Sequence, residues 1–280
     1  MLNQIENTTY LEEMAAWEEK RLADLQKPDG YLSLVGLCWL QYGENSFGSD
    51  ASNNCQFPAG MPANIGRYIV SESGITVEIE ADVPVTHKGE VVASMPILAD
   101  RDKGGPTILE LGTVSWFVIQ RGDAFAIRIR DSQSELITDF PGVDRFQLNE
   151  DFQIPAIFKK YGQPRTVPVP TILGTDADMI SPGTIEITVG GESRELVALK
   201  SGEADRLFLI VADGLAGKET YGGGRFLTTE PVDADGNVVV DFNKATNPPC
   251  AFTPWATCPT PPDENRFSVE IPAGEKVFKK

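Results

Sequence analysis

The stretch from residue 114 to residue 129 reads Val-Ser-Trp-Phe-Val-Ile-Gln-Arg-Gly-Asp-Ala-Phe-Ala-Ile-Arg-Ile. Two runs rich in β-branched and aromatic residues, Val114 to Gln120 and Phe125 to Ile129, flank the turn residues Arg121-Gly122-Asp123. Residues of these types favour strands, and a short glycine-containing loop between two such runs is typical of a β-hairpin. The pattern therefore predicts an antiparallel pair of strands.

Further strand signals lie on both sides of this hairpin. Ile75 to Glu80 alternates apolar and polar residues, as a half-buried strand does. The downstream signals are short and bounded by turn residues; they are Thr184 to Val189, Glu195 to Leu199, Arg206 to Val211, Asn237 to Phe242 and Arg266 to Ile271. Regular short strands between Gly and Pro turns are typical of sandwiches and barrels. We predict a mainly β fold, with a β-sandwich followed by a second β-rich sandwich or barrel domain.

Residues 8 to 26 carry the one clear helical signal. Thr8 or Thr9 can cap the helix, with Glu12 as the capping-box partner. The positions near helical spacing are Leu11, Met14, Ala15, Glu18, Leu22 and Leu25. We predict an amphipathic helix that packs against the main body, with a dimerisation helix as the alternative.

The predicted organisation has three parts. They are an N-terminal amphipathic helix in residues 1–30, a β-sandwich domain in residues 31–131, and a β-rich C-terminal domain in residues 132–280. The segment from Ser132 to Phe152 shows no regular spacing of apolar residues, so a boundary is plausible there. Gln163 to Pro170 carries three prolines and is typical of an extended crossing segment. One continuous assembly of both halves is the alternative.

The charge balance limits the classes of partner. The chain of 280 residues has 24 basic and 41 acidic residues, a net charge of −17. Such a surface repels phosphate backbones and anionic lipid, so we expect no nucleic-acid partner and no membrane partner. The N-terminal residues lack a basic start followed by an apolar run, so we predict a cytoplasmic protein. The sequence leaves the oligomeric state open.

The titratable residues exclude several common mechanisms. His87 is the only histidine, so a Ser-His-Asp triad would depend wholly on it, and no Gly-x-Ser-x-Gly elbow is present. We expect no metal and no cofactor, and whether the protein is an enzyme stays open. Acid–base chemistry would fall to carboxylates, tyrosine or lysine. The candidate carboxylates are Asp131, Asp213, Asp241 and Glu275.

The run from Gly43 to Pro58 reads Gly-Glu-Asn-Ser-Phe-Gly-Ser-Asp-Ala-Ser-Asn-Asn-Cys-Gln-Phe-Pro. Over residues 40 to 130 the chain resembles forkhead-associated domains, which are β-sandwiches that bind phosphothreonine. Ser49 stands where that family has its phosphate-binding arginine, and Asn64 to Arg67 stands where its Ser-x-x-His element belongs. The resemblance therefore implies a sandwich, and we do not expect phosphopeptide binding.

The segment from Tyr221 to Glu275 carries a dense set of motifs. They are Thr-Tyr-Gly-x-Gly-Arg-Phe-Leu at 220–227, Asp-Phe-Asn at 241–243, Asn-Pro-Pro-Cys-Ala-Phe-Thr at 247–253, Cys-Pro at 258–259, Pro-Pro-x-x-Asn at 261–265 and Ala-Gly-Glu at 273–275. On these motifs the chain resembles the bacterial and archaeal family named domain of unknown function 1684. Thr246 stands where the family usually has tyrosine. The resemblance implies no particular reaction.

Seven prolines between residues 248 and 272 exclude helix and central strand and predict an extended strap, because proline lacks the amide donor. The hypothesis for function is that the strap forms a pocket wall, with polar groups from Tyr221, Arg225, Asp241, Asn243, Asn247 and Glu275 as ligand-binding residues. Arg225 would be the anion anchor, or it would form an ion pair with Asp241 or Glu275. Asn243, Asn247 and Asn265 would alternatively serve only to bind the strap's backbone.

Cys250 and Cys258 are eight residues apart and are a candidate redox pair, with buried thiols or a metal site as alternatives. Cys38 and Cys55 lie far from them in the sequence, and no disulfide scaffold is expected. The predicted function is binding of a small polar or anionic metabolite in a C-terminal pocket, with or without a reaction. The alternative is a protein-interaction module that uses the loop Ser46 to Asn54 of the N-terminal sandwich, where the C-terminal motifs are purely structural.

Overall fold

The computed structural model describes residues 8–203 and 205–279. Contacts divide the chain into two compact units. We call Leu22–Phe140 the sandwich unit, and we call Met1–Arg21 together with Pro141–Lys280 the C-terminal unit. The predicted domain limits at residues 30 and 131 stay predictions, since the division by contacts falls at residues 21 and 140.

The predicted N-terminal helix is present as α1 (Thr8–Leu25), and residues 1–7 of the predicted first segment lie outside the described residues. Its buried face differs from the predicted one. Leu11 and Leu22 are 40% and 37% exposed, whereas Tyr10, Met14 and Leu25 are buried. These buried residues are spaced by four and eleven positions, which places them on one side of the helix, and Tyr10 buries its ring there while its hydroxyl binds a polar partner.

The sandwich unit consists of two sheets. Its strands are β1 (Leu34–Trp39), β2 (Gly43–Gly48), β3 (Cys55–Gln56), β4 (Gly66–Ser71), β5 (Gly74–Ile79), β6 (Thr86–His87), β7 (Glu90–Val91), β8 (Ser94–Ile97), β9 (Leu109–Leu111), β10 (Val114–Arg121) and β11 (Ala124–Asp131). A short helix, α2 (Glu135–Thr138), follows them. One sheet has the strand order β1-β11-β10-β9-β6-β7, and the other has the order β3-β2-β4-β5-β8.

The core of the sandwich unit lies between these sheets. Phe47 and Tyr68 from one sheet pack with Trp116 from the other, and all three are fully buried. The Trp116 indole donates a hydrogen bond to the Tyr68 hydroxyl at 3.0 Å, so the polar atom of each ring has a partner in the apolar core. The hairpin predicted from residues 114–129 is β10–β11, and the mainly β prediction is confirmed.

Cys38 and Cys55 form a disulfide, with their Cα atoms 5.5 Å apart. The sequence analysis expected no disulfide scaffold and did not predict this single bond. Strand β1 carries Cys38 and strand β3 carries Cys55, and the fold brings together residues that are 17 positions apart in sequence. Spacing along the chain contains no information on this proximity.

The C-terminal unit is built on a curved sheet. Its strands are β12 (Gln153–Pro170), β13 (Asp176–Val189), β14 (Glu192–Lys200), β15 (Leu207–Val211), β16 (Arg225–Thr228) and β17 (Asn237–Asp241), in the order β16-β15-β14-β13-β12-β17. Short 3₁₀ turns occur at Tyr31–Ser33, Glu150–Phe152, Phe242–Lys244, Pro249–Ala251 and Asp263–Asn265. The first of these turns belongs to the sandwich unit and the others to the C-terminal unit. Residues of this sheet and of the chain that follows it form an apolar core that includes Leu196, Leu209 and Phe242.

Strand β12 contains the proline-rich segment that was predicted to be an extended crossing, and that segment is part of the sheet. The β12–β17 pairing ends at Ile157, whereas the β12–β13 pairing continues to Pro170. The far half of β12 therefore has one strand partner, and prolines are tolerated there because their missing amide can face the unpaired side.

The predicted extended strap is confirmed. Between residues 248 and 272 the described chain has two 3₁₀ turns and isolated bridges, with Pro259 opposite Thr171 and Arg266 opposite Ala212. Among residues 8–203 and 205–279, no helix combines the length and the apolar character that a bilayer crossing requires.

Candidate functional site

The six predicted ligand-binding residues all lie in the C-terminal unit. Arg225, Asp241, Asn243, Asn247 and Glu275 are buried, and we call these five the motif cluster. The sixth residue, the tyrosine at position 221, is half-buried.

Arg225 lies at the start of β16 and is 1% exposed. Its Nη2 donates to Asp213 Oδ2 at 2.5 Å, and its guanidinium also donates to the carbonyls of Ile271, Ala273 and Glu275. Burial lowers the pKa of Arg225, and the Asp213 carboxylate opposes that change. The ion-pair partner of Arg225 is therefore Asp213, and the expected pairing with Asp241 or the Glu275 carboxylate is wrong.

The Glu275 carboxylate binds helix α1. Arg21 Nε donates to Glu275 Oε1 at 2.9 Å, and Arg21 Nη2 donates to the Asn247 carbonyl at 3.0 Å. The Asn247 amide donates to Glu275 Oε2 at 2.6 Å, and its side-chain Nδ2 donates to the Lys276 carbonyl at 2.7 Å. These bonds join helix α1, through Arg21, to both ends of the strap, where Asn247 precedes it and Glu275 follows it.

Asp241, at the end of β17, is the hydrogen-bond acceptor of a second part of the motif cluster. It accepts hydrogen bonds from the Tyr10 hydroxyl at 2.7 Å and from both the backbone and side-chain nitrogens of Asn243 at 3.0 Å. Asn243 also exchanges hydrogen bonds with the backbone of Asn149. Burial raises the pKa of Asp241, and the Tyr10 hydrogen bond opposes that rise. Burial likewise raises the pKa of Tyr10.

Arg145 adds further contacts between helix α1 and the motif cluster. Its Nε lies 2.8 Å from Glu18 Oε1, its guanidinium lies 5.0 Å from the centre of the Trp17 ring, and its Nη2 donates to the Asn243 carbonyl. Burial lowers the pKa of Arg145, and the Glu18 carboxylate opposes that change. Helix α1 thus contacts the cluster directly through Tyr10 and Arg21, and it contacts Arg145 through Trp17 and Glu18.

Tyr221 lies beside the candidate redox pair. Its hydroxyl donates to the Cys250 carbonyl at 3.1 Å, and the Cys250 amide contacts Cys258 Sγ at 3.2 Å. Neither cysteine is in a disulfide. The structure therefore brings Tyr221, Cys250 and Cys258 together, and it brings Arg225, Asn247 and Glu275 together.

The motif cluster is an internal network in which most buried polar groups are paired, and Asn247 Oδ1 is a buried atom without a hydrogen-bond partner among the described residues. Each buried charge has an opposite charge or several hydrogen-bond donors, which is the condition under which a charged group is stable away from water. Asn265 behaves in the same way, since its side chain bonds the backbone of Val197 and Ile210. The cluster can hold the strap and α1 in place, and its groups have little capacity left for an external anion.

The sequence reasoning did not identify Tyr10, Arg21 and Arg145 as members of this network. One signal was present: Tyr10 and Arg21 are 11 residues apart, which is close to three helical turns, and both align with Met14 on one face. Polar residues on an apolar helix face need polar partners. Arg145 lies in a segment without periodicity, and nothing in its sequence neighbourhood marks it.

Within residues 8–203 and 205–279, no group of three or more His, Cys, Asp or Glu side chains is arranged to hold a metal ion.

Two clefts lie on the C-terminal unit. One has a volume of about 700 Å³ and lies along β12, β13 and β17, with mostly apolar residues in its walls. The other has a volume of about 580 Å³ and lies at strand ends; we call it the strand-end cleft. Its lining is Phe158, Lys160, Pro182, Lys200, Ser201, Glu203, Asp205, Arg206, Leu207, Val232, Asp233, Ala234, Asp235 and Gly236. Neither lining includes a residue of the motif cluster.

The loop from Ser46 to Asn54, which the alternative hypothesis assigns to protein interaction, is closed by its own hydrogen bonds. Asn54 Oδ1 accepts from the Ser46 amide at 2.9 Å, and Asp50 accepts from the amide and hydroxyl of Ser52. Asn53 donates to the carbonyl of Ala63 at 2.8 Å. The interaction role of this loop stays a prediction.

A comparison with protein families matches the C-terminal half of the chain. Residues 138–276 match the model of a family described as "Protein of unknown function (DUF1684)". The chain is also similar to an uncharacterized protein from Haloarcula marismortui solved by solution NMR, with 30% sequence identity, coverage of 50% of this chain and 78% of that chain, and a TM-score of 0.42. No curated protein matches the chain. The matched residues contain β12 to β17 and the whole motif cluster, and the chain belongs to the DUF1684 family.

Proposed function

We propose that the protein binds a small polar metabolite that carries an anionic group, and that it does so in the strand-end cleft of the C-terminal unit. The observation that carries this proposal is a pair of lysines in the cleft, Lys160 and Lys200. Neither has an ion-pair partner among the residues that the structure describes. In a chain of net charge −17, cations without carboxylate partners are available to bind an external anion.

Neighbouring cations differ in this respect. Lys159 lies 2.5 Å from Glu186, and Arg206, which also lines the cleft, lies 3.1 Å from Glu230. The carboxylates of Glu186 and Glu230 partly neutralise the charges of Lys159 and Arg206. Lys160 and Lys200 are thus the cations of this region whose ammonium groups would gain the most from an added anion.

The size and shape of the cleft support a small ligand. A volume of about 580 Å³ falls within the range of about 300–1,000 Å³ that is typical of small-molecule sites. Phe158, Pro182 and Leu207 provide apolar wall. Four acidic residues, Glu203, Asp205, Asp233 and Asp235, also line the cleft. Their carboxylates favour a ligand that has hydrogen-bond donors as well as an anionic group.

The turn that forms one side of the cleft is rigidly built. Asp233 accepts hydrogen bonds from the amides of Asp235 and Asn237 at 2.9 and 2.8 Å and from the Asn237 side chain at 2.8 Å. These bonds lower the pKa of Asp233, with the side chain of Asn237 making the largest contribution. A preorganised wall reduces the entropy lost on binding. In this proposal the motif cluster has a structural role, because it holds the strap and α1.

The test is a thermal-shift screen against phosphorylated and carboxylated metabolites. We would compare the wild type with a K160A/K200A double variant, and with Lys279→Ala as a control that removes one exposed lysine outside the cleft. Binding at 100 times Kd stabilises the folded state by about 2.7 kcal/mol, which is measurable as a rise in Tm. We expect one or more compounds to raise the Tm of the wild type and of the control, but not of the double variant.

If no compound raises the wild-type Tm, metabolite binding is wrong and the interaction module becomes the better hypothesis. If the shift persists in the double variant, the ligand binds elsewhere and the proposed site is wrong.

A further inference from the structure

We propose that Cys250 and Cys258 are a reversible dithiol–disulfide pair, oxidised by small-molecule disulfides of the glutathione class. This inference is independent of the proposed metabolite site, because neither cysteine lines the strand-end cleft. It concerns the strap, whose residues 250 to 258 the new bond would close into a ring.

The backbones of both cysteines are held in contact. Cys250 lies in the 3₁₀ turn Pro249–Ala251, and its carbonyl accepts the Tyr221 hydroxyl at 3.1 Å. The carbonyl of Cys258 accepts the Ile172 amide at 2.9 Å. With both segments fixed, the Cys250 amide lies 3.2 Å from Cys258 Sγ. The sulfur of Cys250 is only three bonds from its own amide nitrogen, so side-chain rotation alone can bring the two sulfurs together.

The two thiols differ in accessibility. Cys250 is half-buried, whereas Cys258 is buried. The hydrogen bond from the Cys258 thiol lowers the pKa of Cys250, burial opposes this effect, and the Tyr221 hydroxyl adds to it. A thiolate is the attacking form in thiol–disulfide exchange, so Cys250 is the nucleophile and Cys258 is the resolving thiol.

The exchange has two steps. The Cys250 thiolate attacks one sulfur of glutathione disulfide, the S–S bond of the oxidant breaks, and one glutathione thiolate leaves and takes up a proton. Cys258 then loses its proton, its sulfur attacks Cys250 Sγ in the mixed disulfide, and the second glutathione leaves and is protonated. The protein loses two electrons and two protons, and one glutathione disulfide becomes two glutathione thiols.

The other cysteine pair provides an internal reference. Cys38 and Cys55 are already joined, and they lie in the sandwich unit. The Cys38–Cys55 bond shows how a closed pair registers in a peptide map, and the proposal concerns only the Cys250–Cys258 pair.

The test uses the full chain, equilibrated in buffers of increasing glutathione disulfide to glutathione ratio, quenched with acid and alkylated. Peptide mapping by mass spectrometry then assigns the state of each cysteine. At low ratios we expect both Cys250 and Cys258 of the wild type to be alkylated. At high ratios we expect a Cys250–Cys258 disulfide instead, and added glutathione should reverse this change. We expect Cys258→Ser to stop at a glutathione adduct on Cys250, and Cys250→Ser to show far slower modification of Cys258.

Three results would overturn the proposal. Both thiols of the wild type could remain alkylatable at every ratio, or the Cys258→Ser variant could form no adduct. The third is a wild type that accumulates a stable adduct instead of the internal disulfide. Far-UV circular dichroism of each variant confirms that it is folded. Where a variant fails to fold, the wild-type peptide map alone still tests the proposal, because it shows whether the Cys250–Cys258 disulfide forms.

Discussion

Replacing Arg225 by methionine should destabilise the C-terminal unit strongly. The change removes the guanidinium and leaves the Asp213 carboxylate buried, together with three carbonyls that lose a donor. Removing one partner of a buried ion pair costs about 3–5 kcal/mol, because the remaining charge is uncompensated. Domains are stable by about 5–15 kcal/mol, so R225M should lower stability by a large fraction and still leave a folded population.

The structure indicates a compensating change. Asp213 Oδ1 accepts the Leu215 amide at 2.7 Å, while Oδ2 binds Arg225. Asparagine at position 213 can keep the first bond and remove the charge. We therefore expect D213N/R225M to be more stable than R225M by about 1 kcal/mol or more, the size of coupling seen between residues in contact.

The assay is urea unfolding at pH 7, followed by tryptophan fluorescence and far-UV circular dichroism, with free energies taken from the midpoint and slope. Arg266→Met is the matched control, because Arg266 is 44% exposed and lies 3.8 Å from a fully exposed Asp263. It should change stability by about 0–1 kcal/mol. If R225M costs no more than this control, or if D213N gives no rescue in the R225M background, the account of the buried pair is wrong.

Three further predictions follow from the same structure. Tyr10→Phe removes the hydroxyl that donates to Asp241 and should cost about 1–3 kcal/mol in urea unfolding, because a buried carboxylate loses a donor; an unchanged midpoint would contradict this. Gly224→Ala should lower the Tm by several degrees, since φ is +86° there and an added Cβ would overlap a proline ring of the strap. Glu192 has its pKa lowered to about 2, first by the hydrogen bond from Ser268. Its stabilisation is present above the ordinary glutamate pKa and is lost as pH falls toward 2. The stability difference between wild type and Glu192→Gln should therefore shrink between pH 5 and pH 2, and a constant difference would exclude this carboxylate as the cause.

The elements with strong local patterns were predictable from sequence. The helical signal at residues 8–26 corresponds to α1 (Thr8–Leu25), and the central hairpin corresponds to β10 and β11. Strand β12 was not predicted as one strand, because prolines at 164, 168 and 170 disfavour a central strand. Its far half is paired on one side only, and this tertiary setting overrides the local preference.

The candidate site shows where prediction from sequence ends. Chemistry and motif spacing identified Arg225, Asp241 and Glu275, and all three belong to one buried network. Their partners were not predictable, because Arg21 and Glu275 are 254 residues apart and no periodicity connects them. Charge pairing depends on which elements the fold brings together, and the sequence pattern describes only one element at a time.

The contacts of α1 also have a consequence for synthesis of the protein. Asp241 and Glu275 are made more than 200 residues after their partners Tyr10 and Arg21. Chains are made from the N-terminus and domains fold as units, so residues 22–140 are complete while α1 still waits for its partners. The C-terminal unit therefore completes its contacts with α1 only after Glu275 has been made, and a chain truncated before Glu275 would leave Arg21 without the carboxylate that it binds here.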